Sequence, residues 1–358
     1  MKRVKKKWLW PLAAAAALLL ICTVCMLGYK STAELLSSQQ AAERWRGDNE
    51  TAFAQLSCFM PDGSPLSEEE IHKFRSDMLA KLTEAGFEVS ADTPLIHDAW
   101  CGFGKATISN GQRRGEVRVS AVGGYYFDFH PISLISGSYL KPEDLMEDRV
   151  LLDRECAWLL FGGEELEGMG FEINGQPFYV AGVIEREEDK FSKLAYTEGM
   201  GIYMSWEGWK KLSEAASISC YELVMAEPVE GFVHRAVQEK FPIGTGEIVD
   251  NTQRFEPGRL LKMFREGSSR SMHLGNAAYP YWENAARAAE DRCLVFLIAA
   301  LVAAALPVAL LLWLLIKGFI YGKGKLEDEY VPGAKEKLSE AWRVRARKRW
   351  EKKNPGKK

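Results

Sequence analysis

Histidine most often supports acid–base and metal chemistry near neutral pH, and this 358-residue sequence contains five histidines. They are scattered at positions 72, 97, 130, 234 and 273, and none has a metalloprotease spacing such as H-E-x-x-H. His72 and His234 fall on the polar sides of predicted helices, which indicates surface histidines. The histidines therefore predict neither a metal site nor a catalytic base.

The sequence also lacks the motifs of nucleophilic catalysis and phosphate binding. There is no G-x-S-x-G elbow and no S-x-x-K in a fitting context. The glycine clusters Gly102-Phe-Gly104 and Gly322-Lys-Gly-Lys325 do not match the G-x-x-x-x-G-K-[ST] loop. The acidic run Glu185 to Asp189 could hold a cation, but such runs are usually solvated loops. We therefore predict a chain that is not an enzyme, is not itself an ATPase and has no cofactor.

The cysteines give little redox information. Three lie in long apolar runs: Cys22, Cys25 and Cys293. The other four are Cys58, Cys101, Cys156 and Cys220. Four cysteines can be joined by disulfides in three different pairings. Most of these four sit in apolar runs, as buried thiols do. If a disulfide forms, the favoured pair is Cys58 with Cys101.

The two longest uncharged runs are Trp8–Gly28 and Cys293–Ile316, of 21 and 24 residues. As helices they would measure about 31 and 36 Å, enough to cross a hydrocarbon core of about 30 Å. Both runs are therefore predicted transmembrane helices, residues 8–28 and 293–316. A cleaved signal peptide ending near Ser31-Thr-Ala33 is the alternative for the first run, but its apolar stretch is longer than such peptides usually have.

Charge predicts how the chain is oriented in the membrane, because Lys and Arg are retained on the cytoplasmic side. Residues 1–30 carry six basic and no acidic side chains, and residues 317–358 carry fourteen basic and six acidic ones. Subtracting these charges of +6 and +8 from the total of −3 leaves −17 for residues 31–316. We expect a cytoplasmic stub at 1–7, a basic cytoplasmic tail at 317–358 and an acidic extracytoplasmic domain at 31–290 in the plasma membrane. An acidic domain disfavours nucleic acid as a partner.

Within the predicted outer domain, two α/β units bracket a middle segment. A helical extension over Glu34 to Arg46 leads from the first span to a strand at Thr51–Met60, and a helix follows with a capping box at Ser67 and Glu70 and a stop at Gly86. Near the far end the pattern predicts a strand at 218–225, a helix at 228–241 and a strand at 247–250.

Between these units, residues 100–215 are predicted to be rich in β-strands. The strands are expected at 114–122, 149–152, 170–173 and 177–184. The Asn174-Gly175 pair is a strong signal for a two-residue hairpin between the last two. One short helix is expected between Asp153 as its cap and Gly162 as its stop. The predicted fold class is an α+β extracytoplasmic domain, with a β-rich subdomain inserted into an α/β part, between two transmembrane helices.

The tail combines tryptophan with basic residues at helical spacing. Its candidate docking residues for a partner or for lipid are Trp342, Arg343, Arg345, Arg347, Lys348, Arg349 and Trp350. The apolar residues from Leu338 to Trp350 are expected to share one helical side, and the basic residues to cover the rest. Such a helix suits an anionic inner leaflet or a protein partner; a disordered basic tail is the alternative.

Short motifs between residues 123 and 183 follow one another in a set order. They are Gly123-Gly-Tyr-Tyr-Phe-Asp-Phe129, Leu134-Ile-Ser-Gly-Ser138, Glu143-Asp144, Arg149-Val-Leu-Leu-Asp153, Ala157-Trp158, Leu160-Phe-Gly162, Ile173-Asn-Gly-Gln-Pro177 and Val180-Ala-Gly-Val183. Over residues 45–255 the chain resembles the MacB-like periplasmic core domain of ABC transporter permeases of the MacB/FtsX type. The resemblance implies a porter-like α/β part with an inserted β-rich part. The run Tyr279–Arg287 also resembles permease-like members.

The resemblance implies two alternative functions, because such permeases usually have four spans and this sequence has two. The chain is either a permease-like subunit of an ABC-type export or mechanotransmission assembly, with a separate ATPase as partner, or a membrane-anchored extracytoplasmic binding or sensing module. Both alternatives have the lipid bilayer as a partner and are compatible with self-association. A docking surface for an ATPase would distinguish the first from the second.

The predicted orientation can be tested with protease added to intact protoplasts. Protease should remove residues 31–290 and spare a C-terminal tag, because only the outer domain would be accessible. A tag exposed on the inside of opened protoplasts provides the control for cleavage. Loss of the tag in sealed cells would reverse the orientation.

Overall fold

The structure is a computed structural model that describes residues 9–47, 51–61, 63–64, 66–88, 95–196, 199–266, 279–325 and 331–353. The predicted stub at 1–7 and His273 lie outside the described residues. Chain contacts divide the protein into two compact units. One comprises residues 28–295, here called the outer domain, and the other comprises residues 1–27 and 296–358.

The elements alternate irregularly along the chain. The strands are β1 Ala52–Phe59, β2 Ile96–Ser109, β3 Arg114–Gly124, β4 Ser133–Gly137, β5 Arg149–Asp153, β6 Gly170–Ile173, β7 Gln176–Glu185, β8 Gly201–Ser205, β9 Cys220–Glu227 and β10 Glu247–Asp250. The helices are α1 Leu9–Ala33, α2 Ala41–Arg46, α3 Glu68–Glu84, α4 Tyr126–Phe129, α5 Arg154–Leu160, α6 Lys190–Ala195, α7 Trp206–Leu212, α8 Phe232–Lys240, α9 Pro257–Glu266, α10 Tyr281–Lys325 and α11 Val331–Lys353. A short 3-10 helix covers Ser37–Gln39.

The described strands form one sheet in the order β10-β1-β9-β2-β3-β8-β5-β7-β4, and β6 pairs with β2 and β7. Most neighbours are antiparallel, but β3 with β8 and β5 with β7 are parallel. The β-rich segment 100–215 contributes to this same sheet, because β2 pairs on one side with β9 and on the other with β3. The α+β class predicted for this region is therefore confirmed, with all its strands in one continuous sheet.

The two faces of the sheet have different chemistry, as strand alternation requires. On β9, Tyr221 packs against Phe74 of α3 and Phe241 after α8, with ring centroids 5.7 and 4.8 Å apart. Its neighbour Glu222 points to the opposite face, where it meets Ser57 and His130. One face is thus a mostly apolar core beneath α3 and α8, which also holds the Arg75–Asp98 ion pair, and the other contains the Glu222 polar groups.

Two glycines of β2 allow α7 to pack closely against the sheet. A side chain at Gly102 would lie 2.6 Å from the Trp206 ring, and one at Gly104 would lie 2.2 Å from the Trp209 ring. Phe103, between them, points to the other face and meets Trp282 of α10 at 6.0 Å. Gly102 and Gly104 therefore have a packing role in β2.

Several local predictions are confirmed. The Ser67 side chain accepts a bond from the Glu70 amide and Glu70 accepts one from the Ser67 amide, so the capping box of α3 is complete. Asn174 and Gly175 both have positive φ, at 51° and 82°, as a type I′ hairpin turn requires. Asp153 caps α5 by accepting from the Cys156 amide, and Gly162 follows in the left-handed region.

The predicted helical extension over Glu34–Arg46 is wrong in its first half. Helix α1 ends at Ala33, a 3-10 turn covers Ser37–Gln39, and only Ala41–Arg46 returns to α-helix. The break buries Leu36 in a small apolar cluster with alanines of α10. Burial of that side chain and the hydrogen bonds of the turn therefore outweigh helix continuity.

The favoured disulfide between Cys58 and Cys101 is also wrong. Cys58 lies on β1 and Cys101 on β2, and β9 runs between these two strands. All seven cysteines are free, and Cys101 lies opposite Cys220 in the register of β2 with β9. Burial raises the pKa of the Cys58 thiol, and the nearby Glu222 raises it further, as expected of an unreactive structural thiol.

Two described helices are long and apolar enough to cross a membrane, with candidate spans at Ala13–Ala33 and Tyr281–Gly324. They overlap the runs predicted at 8–28 and 293–316. Within α10 the charged residues Glu283, Arg287 and Glu290 precede the uncharged run, and they belong to the outer domain.

We predict that a soluble fragment of residues 31–290 folds cooperatively and that Phe74→Asp destabilises it. Phe74 is 2% exposed, so a carboxylate there should cost about 3–5 kcal/mol of the free energy of unfolding. Phe264→Asp is the matched control, because Phe264 is 61% exposed and its replacement should cost under about 0.5 kcal/mol. Equal urea midpoints for the two variants would contradict the assignment of the core.

Candidate functional site

The buried guanidinium of Arg254, in the loop after β10, lies where the two ends of the outer domain meet. Its Nη1 and Nη2 donate to the two carboxylate oxygens of Glu283 at 2.6 and 2.8 Å, a bidentate pair. Its Nη2 also donates to Glu290 at 3.2 Å, and Nε lies 3.1 Å from the other oxygen of that carboxylate. The side chains of Arg254 and Glu283 are each 1% exposed. We call this cluster and its polar neighbours the Arg254 junction.

Helix α10 adds a second arginine to the junction. Arg287 Nε donates to Glu283 at 2.7 Å, one helical turn away, and its Nη2 donates to Glu247 of β10 at 3.3 Å. The Arg287 guanidinium also lies 4.1 Å from the centre of the Tyr279 ring. Burial and the hydrogen bond to Glu247 raise the pKa of Tyr279 to about 12, so this hydroxyl is a neutral donor at physiological pH.

The segment that follows the first apolar helix reaches the same loop. Gln39 of the 3-10 turn accepts a bond from Arg254 Nη1 at 3.2 Å. Gln55 of β1 donates to the Ser38 carbonyl at 2.7 Å and accepts from the Ala41 amide at 3.0 Å. The Tyr29 hydroxyl donates to the carbonyl of Phe255, next to Arg254. Both chain segments that continue into apolar helices are therefore held at residues 254–255.

A polar chain connects the junction with the centre of the sheet. Asn251 accepts from Arg254 at 3.0 Å and donates to Ser57 of β1 at 2.8 Å. Ser57 donates to Glu222 at 2.9 Å, and the other oxygen of Glu222 is bonded to His130 Nε2. Trp282 of α10 covers His130, with ring centroids 4.2 Å apart.

The Arg254 junction resists separation of the chain segments that it joins. Several charges lie in the interior, and each of the two arginines has two carboxylate partners. Removing one partner from a buried pair costs about 3–5 kcal/mol, because the remaining charge stays unpaired at low dielectric. The network therefore holds the loop, β10 and the first turns of α10 as one body.

The sequence analysis missed these residues. Glu283, Arg287 and Glu290 stand at i, i+4 and i+7, on one side of a helix that leads directly into an apolar run. That spacing could have identified the side of α10 that carries these charges. Arg254 and Glu222 have no such local signal, because their partners are distant in the sequence. Among the described residues, no group of three or more His, Cys, Asp or Glu is arranged to hold a metal ion.

The predicted docking residues all lie on α11. Trp342 and Trp350 are 69% and 55% exposed, and Arg347 pairs with Glu351 at 3.4 Å. At about 100° per residue, Arg349 lies about 20° from Trp342 around the helix axis, and Arg343 lies about 20° from Trp350. The expected separation into an apolar side and a basic side is therefore wrong, because cations flank both tryptophans.

No protein-family model and no curated protein matches the chain. Among solved structures it is similar to the extracellular domain of the noncanonic ABC-type transporter YknZ from Gram-positive bacteria, at 15% identity and a TM-score of 0.37 over 55% of this chain and 98% of that one. It is similar to the periplasmic region of MacB from Actinobacillus actinomycetemcomitans, at 15% identity and a TM-score of 0.40 over 64% and 100% of the two chains. A domain of a putative permease protein from Porphyromonas gingivalis matches at 10% identity and a TM-score of 0.33 over 55% and 88%.

We expect Arg254→Met to reduce the free energy of unfolding of the outer domain by about 3–5 kcal/mol, because Glu283 and Glu290 would remain buried without their common cation. Arg154→Met is the matched control. Arg154 also pairs with two carboxylates, Glu164 and Glu185, but its side chain is 46% exposed. Its loss should cost under about 1 kcal/mol.

The measurement is urea unfolding of the two variants and the unsubstituted fragment 31–290. A double variant Arg254→Met with Glu283→Gln should recover part of the loss, because one unpaired charge is removed. Equal costs for Arg254→Met and Arg154→Met would show that the junction is not a buried ion-pair network.

Proposed function

We propose that the chain is a permease-like membrane subunit of an ABC-type, MacB/FtsX-like export or mechanotransmission assembly, and that it is itself non-catalytic. The observation that carries the proposal is the Arg254 junction. One buried guanidinium binds Gln39, in the segment after the first apolar helix, and Glu283 and Glu290, in α10 before its uncharged run. A force on either segment would therefore be transmitted directly to the edge of the sheet.

The physical basis is that a buried ion-pair network resists even small separations of its charged groups. Stretching it by a few ångströms would leave charges unpaired and unsolvated, which costs several kcal/mol. Weaker contacts elsewhere in the chain would yield first, and the junction would move as one body. Such stiffness suits a subunit that passes conformational work between an inner ATPase and an outer domain.

The proposed topology follows from the charge pattern. Residues 31–290 would be extracytoplasmic and both termini cytoplasmic, so residues 317–358 would face a separate ATPase. Trp342 and Trp350 are exposed on α11 and would act as anchors in a partner groove. Arg343 and Arg347 would guide encounter and register. The remaining candidates, Arg345, Lys348 and Arg349, would contribute charge.

A second function is favoured by the distribution of charge on α11. Cations lie beside both tryptophans, a pattern that suits an anionic lipid surface better than an apolar protein groove. In that case the tail lies on the bilayer, and the chain is a membrane-anchored extracytoplasmic binding or sensing module without an ATPase. Each basic residue near the surface would add about 1 kcal/mol of binding.

Isolation from native membranes in mild detergent tests the proposal. The unsubstituted chain should bring an ABC ATPase with it, and the variant Trp342→Ala with Trp350→Ala should lose the ATPase while remaining in the membrane. Trp158→Ala is the matched control, because Trp158 is also exposed but lies in the outer domain. This control should retain the ATPase.

Repeated isolation of the chain alone or self-associated, at native expression, would overturn the proposal and favour the anchored module. A complex that survives the loss of both tryptophans would keep the ABC assembly but exclude α11 as its docking helix.

A further inference from the structure

Helix α9, Pro257–Glu266, begins just after Phe255 and has apolar residues on both its buried and its exposed sides. Leu260 is fully buried, whereas Leu261 and Phe264 are 37% and 61% exposed. At about 100° per residue, Leu261 and Phe264 lie about 60° apart around the helix axis. The apolar stripe of α9 therefore extends beyond the part that packs on the protein.

The side of α9 that faces the outer domain is identified by Arg259. This guanidinium is half-buried, burial lowers its pKa, and the charges that act on it include those of Asp250 and Arg254. Arg259 therefore lies beside the Arg254 junction. Around the helix axis it is about 160° from Leu261 and about 140° from Phe264. The two exposed apolar side chains consequently point away from the junction.

Two contacts place the start of α9 level with the outer ends of the apolar helices. The Tyr29 hydroxyl donates to the carbonyl of Phe255, and the Cys293 thiol donates to the Tyr29 carbonyl at 3.8 Å. Tyr29 lies in the candidate span Ala13–Ala33, about 6 Å from its end along the helix axis. Cys293 begins the second uncharged run. In a bilayer crossed by these helices, α9 therefore begins where headgroups meet hydrocarbon.

Another exposed apolar residue belongs to the same region. Leu35 follows the end of α1 closely and is 45% exposed. Its neighbour Leu36 is buried in an apolar cluster against which Phe255 packs. Single exposed apolar residues are ordinary on protein surfaces, whereas a group of them beside membrane spans indicates contact with the membrane. Leu35, Leu261 and Phe264 form such a group, because their chain segments meet at Phe255.

The length and charge of α9 suit the surface of a bilayer. A helix of ten residues is marginal in water, so packing against another surface decides whether it forms. Interfacial helices place an apolar side below the headgroups and cations among the phosphates. Arg265 lies about 40° from Leu261 around the axis, at the border of the exposed apolar side. Its long side chain can extend from that border to a phosphate.

We propose that α9 is an interfacial helix on the bilayer surface that faces the outer domain, with Leu261 and Phe264 among the acyl chains and Arg265 at the phosphates. The partner is the phospholipid surface and not a protein. Because α9 begins three residues after Arg254, its insertion holds the loop of the junction at the membrane. The inference rests on the two membrane spans and does not require an ATPase.

Photocrosslinking of the full chain in nanodiscs of phosphatidylcholine and phosphatidylglycerol tests this contact. Photoreactive p-benzoylphenylalanine replaces Leu261 or Phe264 in separate variants, and mass spectrometry of the intact protein measures phospholipid adducts. The same replacement of Trp158, which is 53% exposed, is the matched control. Positions 261 and 264 should give at least about tenfold more lipid adduct than position 158.

The control position lies at the other end of the sheet. His97 of β2 stands in the same row as Gln55, which is bonded to the segment after α1. From His97, β2 continues for twelve residues to Ser109, a distance of about 40 Å. Arg113, in the turn that follows, donates to the Trp158 carbonyl at 3.2 Å. Trp158 is therefore an exposed aromatic residue far from the level of the spans.

Amide hydrogen exchange in the same nanodiscs tests the anchoring without photochemistry. Leu261→Asp with Phe264→Asp should speed exchange in α9 at least about tenfold, because two carboxylates leave the acyl layer and a ten-residue helix frays in water. Leu145→Asp with Met146→Asp is the matched control, since both residues are exposed and lie outside α9. This control should leave exchange in α9 unchanged.

Several results would overturn the proposal. Lipid adducts at 261 and 264 that are no more frequent than at 158 would exclude insertion, and so would unchanged exchange in the aspartate variant. Adducts that join position 264 to a second copy of the chain, or to another segment of the same chain, would show that protein covers this side of α9. None of these measurements involves an ATPase, so their failure would leave the proposed permease function intact.

Discussion

The outer domain depends on one constraint, which is that the guanidinium of Arg254 must be neutralised where water cannot reach it. The Arg254 guanidinium donates to Glu283 and Glu290 of α10. It also donates to the side-chain oxygens of Gln39 in the 3-10 turn and of Asn251 in its own loop. Three segments far apart in sequence are thereby required to meet at one point. This requirement joins the first turns of α10 and residues 37–39 to the loop after β10, which itself pairs with β1.

The sheet explains why such a network can exist inside a domain of this size. Alternation on β9 places Tyr221 in an apolar core beneath α3 and α8, and places Glu222 on the face that carries the polar chain. Both faces bury apolar side chains, and the second face also holds buried polar groups that contribute little net stability. The Trp206 and Trp209 contacts at Gly102 and Gly104 keep that apolar side closely packed.

The sequence predicted what depends on neighbouring residues. The capping box at Ser67, the turn at Asn174-Gly175 and the cap at Asp153 are decided within a few residues of chain. It did not predict β2, the longest strand, because the glycines at 102 and 104 interrupt its apolar pattern and pairing with β9 and β3 is what stabilises it. The Arg254 junction was missed for the same reason, since Arg254 and Glu283 are 29 residues apart. Local spacing shows that α10 has a charged side, but not which residue that side meets.

A cavity of about 440 Å³ in the outer domain and the Arg254 junction share the same two turns of α10. Tyr281 and Asn284 line the cavity, whereas Glu283 and Arg287 bind in the junction, and these positions alternate along the helix. Trp282, between them, packs on His130 at the inner end of the polar chain. A helix turn is rigid, so a shift of the backbone at 281 or 284 would also displace 283. A shift of the wall of this cavity would therefore act on the same helix that the ion pairs hold, and the chain continues from that helix directly into its longest apolar run.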